Sequence, residues 1–407
     1  MKDTYRHLLS PARIGSMTLK NRMVVTAMGV NLGESDASCG ERLIAYHERQ
    51  ARGGAALIIT GVASVGWPHG APMPGPIGLS EDRFLPGLEA LVAAVHRHDC
   101  LIAAQLHHGG INAAQDAREG RPLWVPSHPP SIGYSDIVEG MLPDELQAFA
   151  GSGRPELRVV SREDIGQLVH WFAEGAARAR RAGFDGVEVH AGHGYILSGF
   201  LSPAMNQRED EYGGSLENRA RLLLEVIGAI RDKVGTDFPL WVKLDCGEYG
   251  KREGITLADA RATAQLVEAA GAHAITASAY HDVSRGALHS ESNIPFVAER
   301  MVPDARALKA AVAIPVIASG RIEPAAADRH IRAGHFDFLA MGRKILADPD
   351  LPNKLQAGRP ETIRPCVYCY CCASQIYKVQ AVKCAVNPET AYERERALIA
   401  TDSPRHI

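Results

Sequence analysis

The sequence predicts a (β/α)8 TIM barrel followed by a C-terminal cysteine-rich segment, and three observations carry that prediction. From residue 161 onward, short apolar β-branched runs alternate with amphipathic helical stretches, the pattern of parallel strands covered by helices. Three strands and two helices of the same kind precede them, so eight strands fill the chain up to about residue 350. A doubly wound open sheet is the alternative, but no GxGxxG fingerprint follows a first strand. Residues 1–350 therefore read as the barrel and 351–407 as an appended segment that holds five of the eight cysteines.

Each element has its own justification. The lead LLSPARIGSMTLKNRMVVTAMGV reads as a hairpin followed by a first strand over 23–27. Charge and spacing make 41–53 a helix, and β-branched content makes 55–62 a strand. Residues 81–99 carry Leu85, Leu88, Leu91, Val92 and Val95 on one helical face, and 101–106 is the third strand. The segment between His107 and Arg162 is rich in Pro and Gly, contains Trp124, Tyr134 and Met141, and reads as a substrate-side cover. Helices are then predicted over 161–182, 215–234, 256–270, 303–311 and 324–333, alternating with strands over 185–190, 239–245, 272–277, 315–319 and 336–341.

Composition narrows the function classes. The 407 residues are 46% hydrophobic and 22% charged with a net charge of -3, which suits a large globular core and gives no reason to expect nucleic acid or an acidic membrane as partner. The start MKDTYRHLLSPARIG has no apolar signal region, and no run is long enough to cross a bilayer. A cytoplasmic location is expected. Five cysteines crowded between Cys366 and Cys384 point to a metal centre in a reducing compartment, whereas Cys39, Cys100 and Cys246 read as ordinary buried thiols.

A barrel active site lies at the carboxyl ends of the strands, and five strand ends carry polar groups there. In the fourth strand, alternation sends Val187 and Val189 one way and Glu188 and His190 the other. The chain then leaves through Ala191-Gly192-His193-Gly194-Tyr195, two imidazoles and a phenol around glycines. The third strand places Gln105 and His107 on one face, and the fifth places Trp241, Lys243 and Asp245 on one face. An ammonium inside a barrel is costly without an anion or strong acceptor, so Lys243 either faces a ligand or pairs with Glu188 or Asp245. The seventh and eighth strands end in Ser319-Gly320-Arg321 and Met341-Gly342-Arg343, where backbone amides and arginines suit a phosphate. Finally, Cys366, Cys369, Cys372 and Cys384 form C-x-x-C-x-x-C-x11-C, a spacing open to either a 4Fe-4S cluster or zinc. The extra thiol leaves the third ligand open between Cys371 and Cys372, and spacing selects Cys372.

The H-x-x-H-x-Y run, the stretch FLSPAMNQREDEYGGSLENRARLLLEVI behind it and the amino-terminal lead resemble the flavin-dependent Old Yellow Enzyme family. The cysteine pattern ending in CAVNP resembles its iron-sulfur branch, which includes 2,4-dienoyl-CoA reductase, 2-enoate reductase and trimethylamine dehydrogenase. The resemblance runs from about Leu8 to Pro388. It implies FMN and a 4Fe-4S cluster as cofactors. His190 and His193 would hold the substrate carbonyl oxygen, FMN N5 would deliver hydride to the β-carbon, and Tyr195 would protonate the α-carbon. Gln105 and Lys243 would contact the flavin ring, and lysine departs here from the family's usual arginine. Ala27, Gly61, Gly320, Arg321, Gly342 and Arg343 complete the implied flavin contacts, and Cys366, Cys369, Cys372 and Cys384 the cluster ligands.

The expected activity is reduction of the activated C=C bond of an α,β-unsaturated carbonyl or thioester. An amine dehydrogenase or demethylase is the rival within the fold. From another class, the rival is a phosphate-binding barrel lyase using Lys243 as a Schiff-base lysine, with a structural zinc tail. A one-electron cluster implies a second redox centre, which the branch usually carries as an FAD and NAD(P)H module after the cluster. The sequence ends 23 residues after Cys384, so it is either a fragment or the partner of a separate electron-donor flavoprotein or carrier. The second is the expectation, and a homo-oligomer is compatible with it.

Overall fold

The computed structural model describes residues 5–129, 155–281 and 297–397. Eight parallel strands close into a barrel: β1 Met23–Val25, β2 Leu57–Ser64, β3 Leu101–His107, β4 Gly186–Ala191, β5 Leu240–Tyr249, β6 Ile275–His281, β7 Val316–Ala318 and β8 Phe338–Met341. Closure is by β8 on β1 and β1 on β2. The outer ring is α1 Glu41–Arg52, α2 Leu85–His96, α3 Arg162–Arg181, α4 Leu216–Val234, α5 Leu257–Ala269, α6 Val302–Lys309 and α7 Pro324–Arg332. Short helices α8 Arg343–Ala347, α9 Leu351–Gln356 and α10 Cys371–Tyr377 follow β8. Two of the long helices start at reciprocal caps, Ser161 with Asp164 for α3 and Thr256 with Asp259 for α5, which satisfy first-turn amides that have no partner within the helix.

Strand alternation sorts the core into two parts. Val25, Ile58, Ile102, Val187, Val189, Val242 and Leu244 belong to the large cluster beneath the helices. Val24, Leu57, Ile59, Ala103, Trp241, Ile317 and Phe338 form a second, smaller cluster inside the barrel. The predicted amino-terminal hairpin is present, pairing Ala12–Ile14 with Met17–Leu19, and adds Ile14, Met17 and Leu19 to that inner cluster. Apolar side chains thus plug one end of the barrel and leave the polar positions to the carboxyl end.

The predicted elements are all present, with boundaries that move where tertiary pairing outweighs local preference. The sixth strand begins at Ile275 rather than 272 because its ladder opens at the Val242–Ile275 pair, and it continues to carry Ser278 and Tyr280 upward. The cover expected between His107 and Arg162 is not loop throughout. Its flanks Leu123–Val125 and Leu157–Val159 pair as a small parallel sheet. Trp124 is buried, with its ring 5.5 Å from Trp171 of α3. Tyr134 and Met141 lie outside the described residues.

The cysteine-rich segment is tied to the barrel: Val382 N–H donates to Val30 O at 3.0 Å, Arg42 Nε to Ala391 O at 2.7 Å, and Asn387 Nδ2 to Leu346 O at 2.8 Å. All eight cysteines are free, and Cys39, Cys100 and Cys246 are buried as expected. Among the described residues, no helix is long and apolar enough to cross a membrane.

Candidate active site

Glu188, fully buried inside the barrel, organises the floor of the site. Its carboxylate accepts from Gln105 Nε2 at 2.6 Å, from Trp241 Nε1 at 2.9 Å and from Thr276 Oγ1 at 2.5 Å. Three neutral donors from β3, β5 and β6 therefore satisfy it, with no need of a cation. Donation to Glu188 aims the Gln105 amide and leaves its carbonyl and second N–H for a ligand. Lys243 is only 4% exposed, and its register partner on β4 is His190. Among the described residues it has no carboxylate within ion-pair reach, so the structural pair with Glu188 or Asp245 does not form, and a buried ammonium is costly without an acceptor.

Above this floor four rings converge. His190 lies 5.0 Å from His193 and 4.8 Å from Tyr195, centroid to centroid, while His107 lies 4.2 Å from Tyr195 and 5.5 Å from His190. Burial, reinforced by His193, His107 and Lys243, holds His190 well below the usual imidazole range. Its Nδ1 accepts from Gly192 N–H at 3.2 Å, which assigns the single proton of the neutral ring to Nε2 and makes that nitrogen a donor. His193 Nε2 is 2.6 Å from Ser278 Oγ, and its backbone N–H donates to Asp245 Oδ2 at 2.6 Å. Asp245 thereby pins the β4 exit loop, where His193 adopts a left-handed φ of 60°. Burial, with Asp245 adding to it, pushes the Tyr195 phenol up to about 12, so it is a neutral acid at ordinary pH.

Strand alternation places His107 on the inward face but assigns it no role. It is fully buried, both ring nitrogens lack partners among the described residues, and burial drives it down to about 3. Spacing put it on the inward face with Gln105; its contact with Tyr195 arises only on closure of the barrel. His108 is likewise held at about 3 and His47 at about 4, each by burial. A group depressed in the fold contributes stability above its unfolded value of about 6.5 and loses it as pH falls toward the folded value. Melting temperature should therefore fall steeply below pH 6.5, with His107 and His108 each contributing about 2 kcal/mol of destabilisation at pH 5. His108→Phe should flatten that dependence in a thermal denaturation series, and an unchanged slope would show these rings are not buried neutral.

Polar atoms without partners among the described residues lie at the strand ends where flavin contacts are expected. Thr26 Oγ1, Thr60 Oγ1 and Arg321 Nε are buried without hydrogen-bond partners among the described residues, a set of polar atoms that a ligand would satisfy. Around them the backbone packs closely. A Cβ on Gly61 would sit 1.6 Å from Met28 O, and one on Gly342 would sit 2.8 Å from Met28 Sδ, which brings the β1, β2 and β8 ends together around Ala27. Gly320 has φ 109°, open to glycine. Arg321 and Arg343 meet over the ring of Tyr368. If Lys243 serves the bound flavin, Lys243→Met should lower FMN affinity or make the flavin harder to reduce, because the charge favours an anionic reduced ring. Fluorescence titration and a reductive potential measurement check it, and unchanged values would assign Lys243 to structure alone.

All five carboxyl-terminal cysteines line one hollow beside Arg343 and Leu346. Among the described residues, no three Cys, His, Asp or Glu side chains converge on a point fit for a single metal ion. The Cys372 thiol is pushed up to about 11 by burial, with Cys366 and Cys384 acting in the same direction.

Fold and site together define a cofactor-dependent (β/α)8 barrel with polar rings at its mouth and arginines at its last two strands. The chain belongs to the NADH:flavin oxidoreductase / NADH oxidase family, which it matches over residues 7–362. It is 37% identical, over 98% of its length and 56% of the relative's, to a metal reductase of Desulforamulus reducens. It is 31% identical, over 95% of its length and 53% of the relative's, to an N,N-dimethylglycine/sarcosine dehydrogenase of Chromohalobacter salexigens. Among solved structures it superposes on 2-naphthoyl-CoA reductase in complex with 2-naphthoyl-CoA with a TM-score of 0.85 at 27% identity, covering 96% of this chain and 58% of that one. The chain thus spans about half the length of these relatives.

Proposed function

We propose that the protein is an FMN- and 4Fe-4S-dependent oxidoreductase that reduces the activated C=C bond of an α,β-unsaturated carbonyl compound or thioester. In this reading residues 1–350 hold FMN through Gln105, Lys243, Ala27, Gly61, Gly320, Arg321, Gly342 and Arg343, and 351–407 hold the cluster through Cys366, Cys369, Cys372 and Cys384. The observation that carries it is the convergence of His190, His193 and Tyr195 above a buried lysine that has no carboxylate partner among the described residues.

Bound FMN supplies the hydride. His190, neutral and donating through Nε2, binds the substrate carbonyl oxygen and stabilises the negative charge that grows there. His193, fixed by Ser278 and Asp245, orients the same oxygen. Tyr195 holds the proton destined for the α-carbon, and its raised pKa is no obstacle because a carbanion-like carbon is far more basic. The rival amine oxidation has support from the dehydrogenase relative, but His190 as a neutral donor suits an oxygen acceptor better than an amine. The cysteine thiols call for a reducing compartment, which supports action in the cytoplasm. The cluster would receive single electrons from a second redox centre, assigned here to a separate flavoprotein or carrier docking beside the hollow.

A visible spectrum with iron and zinc assays on anaerobically purified protein tests the cofactors. The expected result is one FMN and about four irons per chain. Stoichiometric zinc without iron would sink the cluster, and a colourless protein would sink the flavin.

A further inference from the structure

The phosphate grip of the barrel and the cysteine-rich segment meet on one side chain. Tyr368 stands between Cys366 and Cys369, and Arg321 Cζ lies 3.9 Å from its ring centroid. Arg343 Cζ lies 5.1 Å from that ring and 5.1 Å from the ring of Tyr370. Lys344 Nζ donates to the Tyr368 hydroxyl at 2.8 Å and also binds Glu323. Tyr368 and Tyr370 have left-handed φ values of 52° and 57°, a region that side chains other than glycine adopt only when their surroundings impose it. Contacts from the barrel therefore hold the shape of the loop that presents Cys366, Cys369 and Cys372. The dependence also runs the other way. One face of the Arg321 guanidinium is covered by Tyr368, while its buried Nε has no partner among the described residues and is left for an anion.

We propose that Tyr368 is a positioning residue that couples the two cofactor sites: stacked on Arg321 and Arg343, it makes phosphate binding by the barrel and cluster binding by the cysteine loop mutually dependent. This rests on the FMN and 4Fe-4S reading above. A phosphate that fixes the arginines fixes the ring lying on them, and with it the approach of the flanking thiols. A cluster that fixes the thiols holds the ring in place and keeps the arginines aimed. Binding linkage is reciprocal, so the factor by which the cluster tightens FMN must equal the factor by which FMN tightens the cluster.

The test is FMN titration by fluorescence quenching on cluster-loaded and iron-free protein. In the wild type, the iron-free form should bind FMN about 10-fold more weakly, and FMN should slow iron loss to a chelator. Tyr368→Leu should bring the ratio of the two dissociation constants close to one, whereas Tyr368→Phe, which keeps the ring, should retain most of it. Equal dissociation constants in the wild type would overturn the coupling without any variant, as would a full ratio surviving in Tyr368→Leu. Protein that binds no FMN or no iron would overturn the cofactor reading and this proposal together, whereas protein that binds both independently overturns the coupling alone.

Discussion

Tyr195→Phe is expected to slow turnover of an unsaturated carbonyl substrate by about 10- to 10,000-fold, while reduction of the bound flavin by dithionite proceeds as in the wild type. The phenol lies 4.8 Å from His190 and 6.2 Å from His193, ring to ring, and phenylalanine preserves those ring contacts while removing the proton. The pH dependence gives a second readout. Tyr195 acts in its neutral form, which is lost as pH rises through its pKa. An ordinary tyrosine would lose activity from about pH 10, but burial raises this one to about 12. The protonation step should accordingly stay flat through pH 10 and fall only above it. Full turnover by the variant would assign the proton to water or to another side chain.

His190→Ala is expected to lower turnover by about 100- to 1,000-fold, the usual loss on removing one donor from a developing oxyanion, and to weaken binding of phenols or other oxygen ligands. His190 is 5% exposed and its proton is placed on Nε2 by Gly192, so its donor is oriented before substrate arrives. FMN should remain bound, because the predicted phosphate grip lies on β7 and β8 rather than β4. His190→Asn should recover part of the loss by restoring a neutral donor. An alanine variant with unchanged ligand titrations would remove His190 from the substrate site.

Much of this was legible along the chain. Alternation in GVEVHA put His190 and Glu188 on the same face, and the same rule put Gln105 with His107 and Lys243 with Asp245; the barrel keeps all of these pairings. The terminal Gly-Arg pairs and the cysteine spacing also named the elements that the structure brings together. The short strand Leu123–Val125 was not legible. Trp124 looked like part of a long loop because a three-residue strand has too short a period to detect, and its partner Leu157–Val159 is more than thirty residues away.

What the sequence determined by itself is the barrel, its polar end and the list of side chains facing that end, because strand period, helix amphipathicity and turn chemistry act over a few neighbouring residues. Tertiary structure alone decided what those side chains do to one another. Glu188 is satisfied by donors from three other strands and forms no ion pair with Lys243. His107 reaches Tyr195 across 88 positions of sequence, and Arg321 reaches Tyr368 across 47. Desolvation, ring contacts and hydrogen bonds depend on distance in space, and no local pattern encodes a contact between residues so far apart.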